Sequence, residues 1–311
     1  MLATLFSAEH MQTLLDATAL GAIYALMAIG IGLVFGVLRL VNFAYGQLVM
    51  AGAYALALTQ GWPIALSIAL CFGVVLALSL AMEFAAFRPL RNAAPTTMLV
   101  ATFALSYLLQ SIALVRFGAI GKILVVIPGL TQPFRVGGLH IRWITVVTIL
   151  VAIAVFAALA LFLNRTSIGL QMRAASMDSQ TARLLGVRAN AVITAAVLIS
   201  GTIAAIVAVI LPMAVPERIL VGPDYGLRET IIVLVGVVVG GIDRLLSATL
   251  GGFAIGFTVG VLSGFLPSTG SWPFTSSVYL DSAVFMLVIV VLLVRPEGLF
   301  TRSRRSVVER V

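Results

Sequence analysis

The chain has 311 residues, of which 61% are hydrophobic and only 10% are charged. A mean hydropathy this high excludes a soluble globular protein. The net charge of +8 would suggest nucleic-acid binding in a soluble chain, but here the basic residues lie between long apolar runs and set membrane topology instead.

Apolar segments follow one another along the chain and predict transmembrane helices. A helix needs about 20 residues to cross the hydrocarbon core, and these runs are too long and too apolar for barrel strands. In chain order the candidates are Thr13–Leu38, Phe43–Thr59, Ile64–Phe87, Met98–Val115, Trp143–Leu163, Val192–Leu211, Ile231–Ile242, Ser247–Phe265 and Leu280–Val294. The weakest is Ile231–Ile242, which is shorter than one bilayer thickness. It is compatible with a tilted span that begins near Leu220 or with a half-helix that lines a protein cavity. We predict an all-α polytopic membrane protein with about eight transmembrane helices in one domain, residues 1–311.

The distribution of Lys and Arg predicts the side on which each loop lies. The most basic loop, residues 164–188, is placed in the cytoplasm because basic residues in short loops are retained there. Alternation then puts thirteen basic residues inside and six outside. The stretch before Leu14 holds Glu9 but no Lys or Arg, so it is expected to be external and not a cleaved signal peptide. The C-terminus is expected to be cytoplasmic.

A short internal repeat predicts two related halves. The run Gly36–Leu40, followed by Gly46, recurs as Gly241–Leu245, followed by Gly251, at a constant offset of 205 residues. Both copies fall on the same side of the predicted membrane, so the repeat is parallel, as in transport proteins whose pathway lies between two halves. The alternative is a chance similarity among glycine-rich spans.

Polar side chains within the apolar segments are candidates for a transport pathway. They are Asn42, Gln47, Ser106 and Gln110, whose amides and hydroxyl must be satisfied by protein or water in a membrane. Each is also compatible with an interhelical hydrogen bond that has no role in transport.

Ionisable residues are scarce inside the segments, which argues against a proton-coupled carrier. Glu83 lies closest to the interior. Because Arg88 follows about one helical turn later, we expect the two side chains to pair at the cytoplasmic interface.

Several kinds of site are not predicted. Cys71 is the only cysteine, and His10 and His140 are far apart, so neither a disulfide nor a metal centre is expected. The only lysine, Lys122, does not have the spacing of a phosphate-binding loop. We therefore expect no cofactor in this chain and no enzymatic activity of its own. Any ATP would be bound by another protein.

The basic loop at about residues 164–190 predicts a short amphipathic helix. Residues 170–185 favour a helix, and Gly186 suits its C-terminal cap. An apolar face is expected from Met172, Ala175, Ala182 and Leu185. A helix of this kind at a membrane surface is expected to dock to a soluble partner.

These features resemble the permeases of the branched-chain amino acid ABC transporter family. The likeness covers nearly the whole chain and is carried by Gly21–Gly30, Val41–Gly46, the loop 164–190 and the ending Arg295–Phe300. It implies an ABC importer permease of the shorter, H-type subunit, which moves a small polar solute such as a branched-chain or related amino acid. It also implies a bacterial inner membrane location and a heterodimer with a second permease. The further partners are two ATPase subunits that bind ATP and Mg²⁺ and a periplasmic binding protein.

The resemblance also assigns roles to individual residues. The family's ATPase-coupling loop matches at Gly169, Arg173, Ala174, Ala175, Asp178, Ala182, Leu185 and Gly186. Its signature between the first two spans matches at Asn42, Phe43 and Gly46, which join Gln47, Ser106 and Gln110 in the predicted substrate pathway. The external basic residues expected to meet the binding protein are Arg116, Lys122, Arg135, Arg142, Arg218 and Arg228. The helix from about Gly226 is expected to point its positive N-terminal end at a cargo carboxylate.

Two departures from the family pattern leave the cargo open. Tyr45 stands where many relatives have His, and residues 240–246 lack the usual Gly-Ser and Pro after the paired glycines. Amino acids, urea, short amides and aromatic acids are all compatible with the sequence. The alternative functions are a stand-alone channel or secondary carrier for a small solute such as urea or an amide, and a membrane scaffold without cargo.

Overall fold

The structure is a computed structural model of a single chain. It describes residues 8–39, 41–90, 93–124, 127–136, 139–177, 179–215, 220–241 and 245–265, and the single helical positions 282, 286, 289 and 293. The predicted segment Leu280–Val294 and the C-terminal tail therefore lie almost entirely outside the described residues.

Helices make up most of the described chain. They are α1 (Ala8–Leu38), α2 (Tyr45–Leu58), α3 (Ile64–Leu90), α4 (Pro95–Phe117), α5 (Trp143–Arg165), α6 (Ser167–Met177), α7 (Ser179–Leu184), α8 (Ala189–Ala214), α9 (Leu227–Gly240) and α10 (Leu245–Phe265). A π-helical turn, Glu83–Phe87, interrupts α3. The loops hold a 3₁₀ turn, Pro128–Thr131, and four short strands, β1 (Lys122–Ile123), β2 (Pro133–Val136), β3 (Leu139–Arg142) and β4 (Leu220–Val221). Antiparallel pairs join β1 to β4 and β2 to β3.

The long helices divide into a central group and an outer group. In α1, 72% of the most apolar window is buried inside the chain, against 11% in α5 and 22% in both α3 and α4. Helices α8 and α10 are also largely buried and pack on α1. The outer helices expose large apolar side chains such as Leu70, Leu108 and Ile153, as expected for surfaces that face lipid or another membrane helix.

Glycines on α10 allow α1 to approach closely. A Cβ atom added to Gly256 would lie 2.8 Å from the Cβ atom of Tyr24 and 2.9 Å from the Cα atom of Gly21. Gly252, Gly260 and Gly264 meet α1 in the same way, one helical turn apart. This is the small-residue packing that membrane helices use, because lipid supplies no hydrophobic force to drive helix association.

The contacts between helices define two ends of the bundle. Along α10, Gly264 meets Thr13 and Ala248 meets Gly32, so α1 and α10 are antiparallel. The side on which α1 begins is called here the Asp16 end. The side on which it finishes, where α6 lies against Arg39, is called the Arg39 end.

Helices α2 and α9 meet near the middle of the bundle. Gly46 at the start of α2 lies against the backbone of Gly226, which precedes α9 and has φ 83°. From this meeting point α2 runs to the Asp16 end, where Gln60 donates a 2.5 Å hydrogen bond to the Ile123 carbonyl. Helix α9 runs the other way, and its Gly240 packs against the start of α10. Each helix has only 14 residues and is too short to cross a membrane alone.

The predicted helical class is confirmed, but the count of eight is not. Among the described residues, six helices are long and apolar enough to cross a membrane: α1, α3, α4, α5, α8 and α10. The predicted spans Phe43–Thr59 and Ile231–Ile242 correspond to the half-length α2 and α9. A chain whose termini lie on opposite sides of a membrane crosses it an odd number of times. Eight crossings and the predicted orientation therefore cannot both be correct.

Candidate functional site

The predicted coupling segment forms two short helices, α6 and α7, at the Arg39 end. Helix α6 starts directly after α5, where the Thr166 hydroxyl accepts a 3.0 Å hydrogen bond from the Gly169 amide. Gly169 is buried so tightly that any Cβ atom would collide with the Phe162 carbonyl. The sequence predicts one helix over 170–185, and the described residues on both sides of Asp178 are helical, while Asp178 itself lies outside the described residues.

Two arginines connect this segment to the transmembrane helices through hydrogen bonds. Arg39, directly after α1 and with φ 56°, donates to the Ser176 carbonyl near the end of α6. Arg173 donates to the Asn164 side chain in the last turn of α5. The segment is therefore held against both α1 and α5. Arg39 and Asn164 were not predicted as coupling residues, and the charge of Arg39 beside a membrane helix indicated only topology.

The residues buried along α6 and α7 agree only in part with the predicted apolar face. Met172 and Ala182 are buried, and Ala175 helps to line a narrow groove against α1 and α8. Leu185, predicted on the same face, is instead 80% exposed, because the chain turns after α7. Met177 and Leu184 are similarly exposed, and these three exposed apolar side chains are called here the outer knob. Arg173, Ala174 and Gly186 are also exposed.

The predicted pathway residues lie mainly between α2 and α4. The Asn42 side chain accepts a 3.0 Å hydrogen bond from the Ala44 amide and shapes the turn that leads into α2. Gln47 is fully buried and donates a 3.3 Å hydrogen bond to the Ser106 hydroxyl on α4. Phe43 packs on Phe103, with ring centroids 4.2 Å apart. We call Asn42, Gln47 and Ser106 the α2–α4 strip.

The remaining pathway residues lie at either side of the strip. Gln110 is half-buried on α4, one turn beyond Ser106. Gly46 lies instead at the junction of α2 and α9, where Thr230 also approaches it. The buried carbonyl oxygen of Gln47 accepts no hydrogen bond. The strip thus contains a buried acceptor without a hydrogen-bond partner, which is uncommon in protein interiors.

Glu83 does not form the expected pair with Arg88. Its carboxylate is buried and accepts a 2.6 Å hydrogen bond from the Thr194 hydroxyl on α8. Arg88 lies instead over the ring of Phe84, 5.4 Å from the centroid. The π-helical turn that starts at Glu83 was not predicted by any sequence signal.

The described basic residues that were predicted to meet a binding protein belong to the Asp16 end, but they have different surroundings. Arg116 is exposed in the last turn of α4, and Lys122 lies 5.9 Å from the ring centroid of Phe117. Arg135 is on β2, and Arg218 lies outside the described residues. Arg142 and Arg228 line a cavity inside the chain. Among the described residues, no three His, Cys, Asp or Glu side chains lie close enough together to hold a metal ion.

Comparison with known proteins identifies the family. The sequence profile described as "Branched-chain amino acid transport system / permease component" matches residues 13–294. The high-affinity branched-chain amino acid transport system permease protein BraD of Pseudomonas aeruginosa is 29% identical over 94% of this chain and 96% of its own length. LivH of Escherichia coli is 27% identical with the same coverage, and a LivH protein of Methanocaldococcus jannaschii is 27% identical over 88% of this chain and 87% of its own.

A solved ABC transporter in an inward-facing conformation aligns with 90% of this chain and 85% of its own chain, at 18% identity and a TM-score of 0.45. The matching family and its relatives are described as transport permeases, which agrees with the long apolar helices of this chain. The chain therefore belongs to the family of branched-chain amino acid transport permeases and is a multi-pass inner-membrane protein.

Proposed function

We propose that this chain is a permease subunit of an ATP-driven importer for branched-chain or related amino acids. It pairs with a second, related permease, and a periplasmic binding protein delivers the cargo. ATP and Mg²⁺ bind to two partner ATPase subunits and not to this chain. The family match supports this proposal together with one structural observation, the outer knob on a segment tied to the transmembrane helices.

The outer knob suits an ATPase contact because it is apolar, exposed and fixed. Met177, Leu184 and Leu185 are each at least 80% exposed at the Arg39 end, which the proposal places in the cytoplasm. A soluble partner that covers them removes apolar surface from water. The hydrogen bonds of Arg39 and Arg173 connect the same segment to α1 and α5. Movement of an ATPase against the knob is thus passed to the helices.

The discontinuous α2 and α9 support a pathway inside the bundle. Non-helical backbone at membrane depth is tolerated only where protein buries it or where it lines a cavity. The turns before α2 and α9 lie against each other, and the α2–α4 strip adds buried polar groups next to this junction. In the proposed mechanism, closure of the ATPases tilts the helices on either side of the junction and alternates access from one face to the other.

The proposal is tested by ATP hydrolysis in lipid nanodiscs. The complete transporter is mixed with its binding protein and with leucine, urea, small amides or aromatic acids in turn. We expect leucine and related amino acids to stimulate hydrolysis. Stimulation by urea or amides alone would change the cargo. Solute flux through this chain alone, without a co-purifying ATPase, would favour the channel or carrier.

A further inference from the structure

A cavity of about 480 Å³ lies within this single chain at the Asp16 end. It is bordered by α1, α8, α9 and α10, and Arg142, the residue directly before α5, also lines it. Along α1 it extends from Thr13 to Tyr24, eleven residues or about 16 Å of helix. The α2–α4 strip contributes none of its lining residues, so the cavity and the strip are separate features.

Charges of both signs line the cavity. Arg142 forms an ion pair with Asp16, with 3.3 Å between Nη2 and Oδ1, and the same nitrogen donates a 3.1 Å hydrogen bond to the Ala214 carbonyl. Both contacts use Nη2, so the Nη1 and Nε groups of Arg142 remain available to a ligand. Arg228 and Glu229 join the lining from the first turn of α9. A carboxylate and an ammonium group can therefore both be neutralised there.

Much of the rest of the wall is apolar, and the volume is small. Ala17, Leu20, Ile232 and Val259 supply aliphatic surface beside the charged groups. Ligand pockets for small molecules commonly have volumes of about 300–1,000 Å³ and combine apolar walls with a few polar groups. The space is therefore suited to a compact molecule with a charged head and an aliphatic side chain.

We propose that this cavity is a binding site for a zwitterionic α-amino acid, located inside one permease subunit. The ligand carboxylate binds the remaining donors of Arg142 and the positive N-terminal turn of α9. The ligand ammonium binds Asp16 and Glu229, and the aliphatic side chain packs on Leu20 and Val259. The choice of an amino acid rests on the proposed function, but the location and the mixed charges are properties of the cavity itself.

The test uses protection of an introduced cysteine in the assembled transporter. The only native cysteine, Cys71, is buried and is replaced by Cys71→Ala. Ser263, which is exposed and lines the cavity, is changed to cysteine and labelled with a methanethiosulfonate reagent in nanodiscs without binding protein. Labelling of this subunit is followed by mass spectrometry. We expect L-leucine to slow labelling, whereas leucinamide, which lacks the carboxylate, and 4-methylpentanoate, which lacks the ammonium, do not.

Charge variants identify the groups that bind. Loss of a hydrogen bond to a charged group weakens binding about tenfold to a hundredfold, so Arg142→Gln and Arg228→Gln should each raise the leucine concentration needed for protection by this factor. Arg116→Gln is the matched control, because Arg116 is exposed at the same end but does not line the cavity. Equal loss of protection in the control and in both cavity variants would overturn the proposal.

The other outcomes separate this proposal from the proposed function. Leucine-stimulated ATP hydrolysis without protection of residue 263 would reject the cavity and leave the importer intact. Protection by leucine in a complex that shows no stimulated hydrolysis would support the cavity and reject the importer. A phosphatidylethanolamine headgroup also carries an anion and an ammonium. Protection that depends on this lipid and not on leucine would replace the amino acid with the headgroup.

Discussion

Glu83 is a buried carboxylate that joins α3 to α8 through the Thr194 hydroxyl. The expected pair with Arg88 was wrong because residues five apart are not neighbours on a helix surface, whereas those three and four apart are. The direction in which Glu83 points depends on a helix more than one hundred residues away in the sequence, so no local pattern predicts it. The buried Gln47–Ser106 contact, by contrast, was foreseeable as two polar groups that each needed a partner.

Removal of the Thr194 hydroxyl should destabilise the protein. In Thr194→Val, the buried carboxylate of Glu83 loses the donor of its 2.6 Å hydrogen bond, at a cost of about 1–3 kcal/mol. Thermal unfolding of the purified transporter should show a lower midpoint. Thr202→Val is the control on the same helix, since its hydroxyl bonds only to the Leu198 carbonyl one turn away. Equal midpoints for the two variants would contradict the role given to Glu83.

The outer knob should control coupling to the ATPases. Leu184→Ser together with Leu185→Ser removes two apolar side chains that are 88% and 80% exposed. Because their burial on folding is small, the permease should remain inserted, while cargo-stimulated ATP hydrolysis falls by at least about tenfold if both are interface anchors. Leu170→Ser is the control, as Leu170 is 49% exposed on α6 outside the knob. Unchanged stimulation in the double variant would place the ATPase contact elsewhere.

At the scale of elements, hydropathy predicted the long helices well and the short ones poorly. Apolar runs such as Trp143–Leu163 became helices within a few residues of the expected limits, because lipid requires every backbone group to be bonded within the helix. The meeting of α2 and α9 was not predicted. The sequence features that mark this contact are two apolar runs too short to cross a membrane, each with a glycine at its start. The two glycines are 180 positions apart, so no local pattern pairs them.

The repeat stays a prediction, and its two copies differ in local structure. Gly36 lies within α1, whereas Gly241 follows the last residue of α9 with φ 107°. Residue 244, which would match Arg39, lies outside the described residues. The two five-residue runs share Gly, Arg and Leu in sequence, but the backbone at their first glycine differs.

Packing between α1 and α10 should not tolerate a large side chain at its centre. Gly256→Leu would place carbon atoms where Tyr24 and Gly21 already lie, and overpacking of this kind costs about 1–3 kcal/mol. The expected result is a lower unfolding midpoint and less protein recovered from membranes. Gly73→Leu on α3 is the control, because nothing lies within 4 Å of an added Cβ atom. A similar loss for both variants would contradict the packing role given to Gly256, because leucine favours a helix more than glycine does.

At the scale of the whole molecule, charge predicted an orientation that residue labelling can test. In the Cys71→Ala background, Gln132→Cys lies in the loop at the Asp16 end and Leu184→Cys lies in the outer knob; both positions are exposed. A membrane-impermeant maleimide added to intact spheroplasts should label residue 132 and not residue 184. The reverse pattern would show that the thirteen-to-six distribution of basic residues misled the assignment.

The junction of α2 and α9 has a consequence for the voltage across the cell membrane. Each helix begins at the junction with about half a positive elementary charge from its aligned peptide dipoles. Two such ends facing the same point, 180 residues apart in the chain but in contact through Gly46 and Gly226, repel protons and metal cations from the middle of the bundle. Vesicles that contain the transporter should therefore hold an imposed potassium diffusion potential as long as protein-free vesicles do. The proposed amino acid route would in this way open without discharging the membrane voltage.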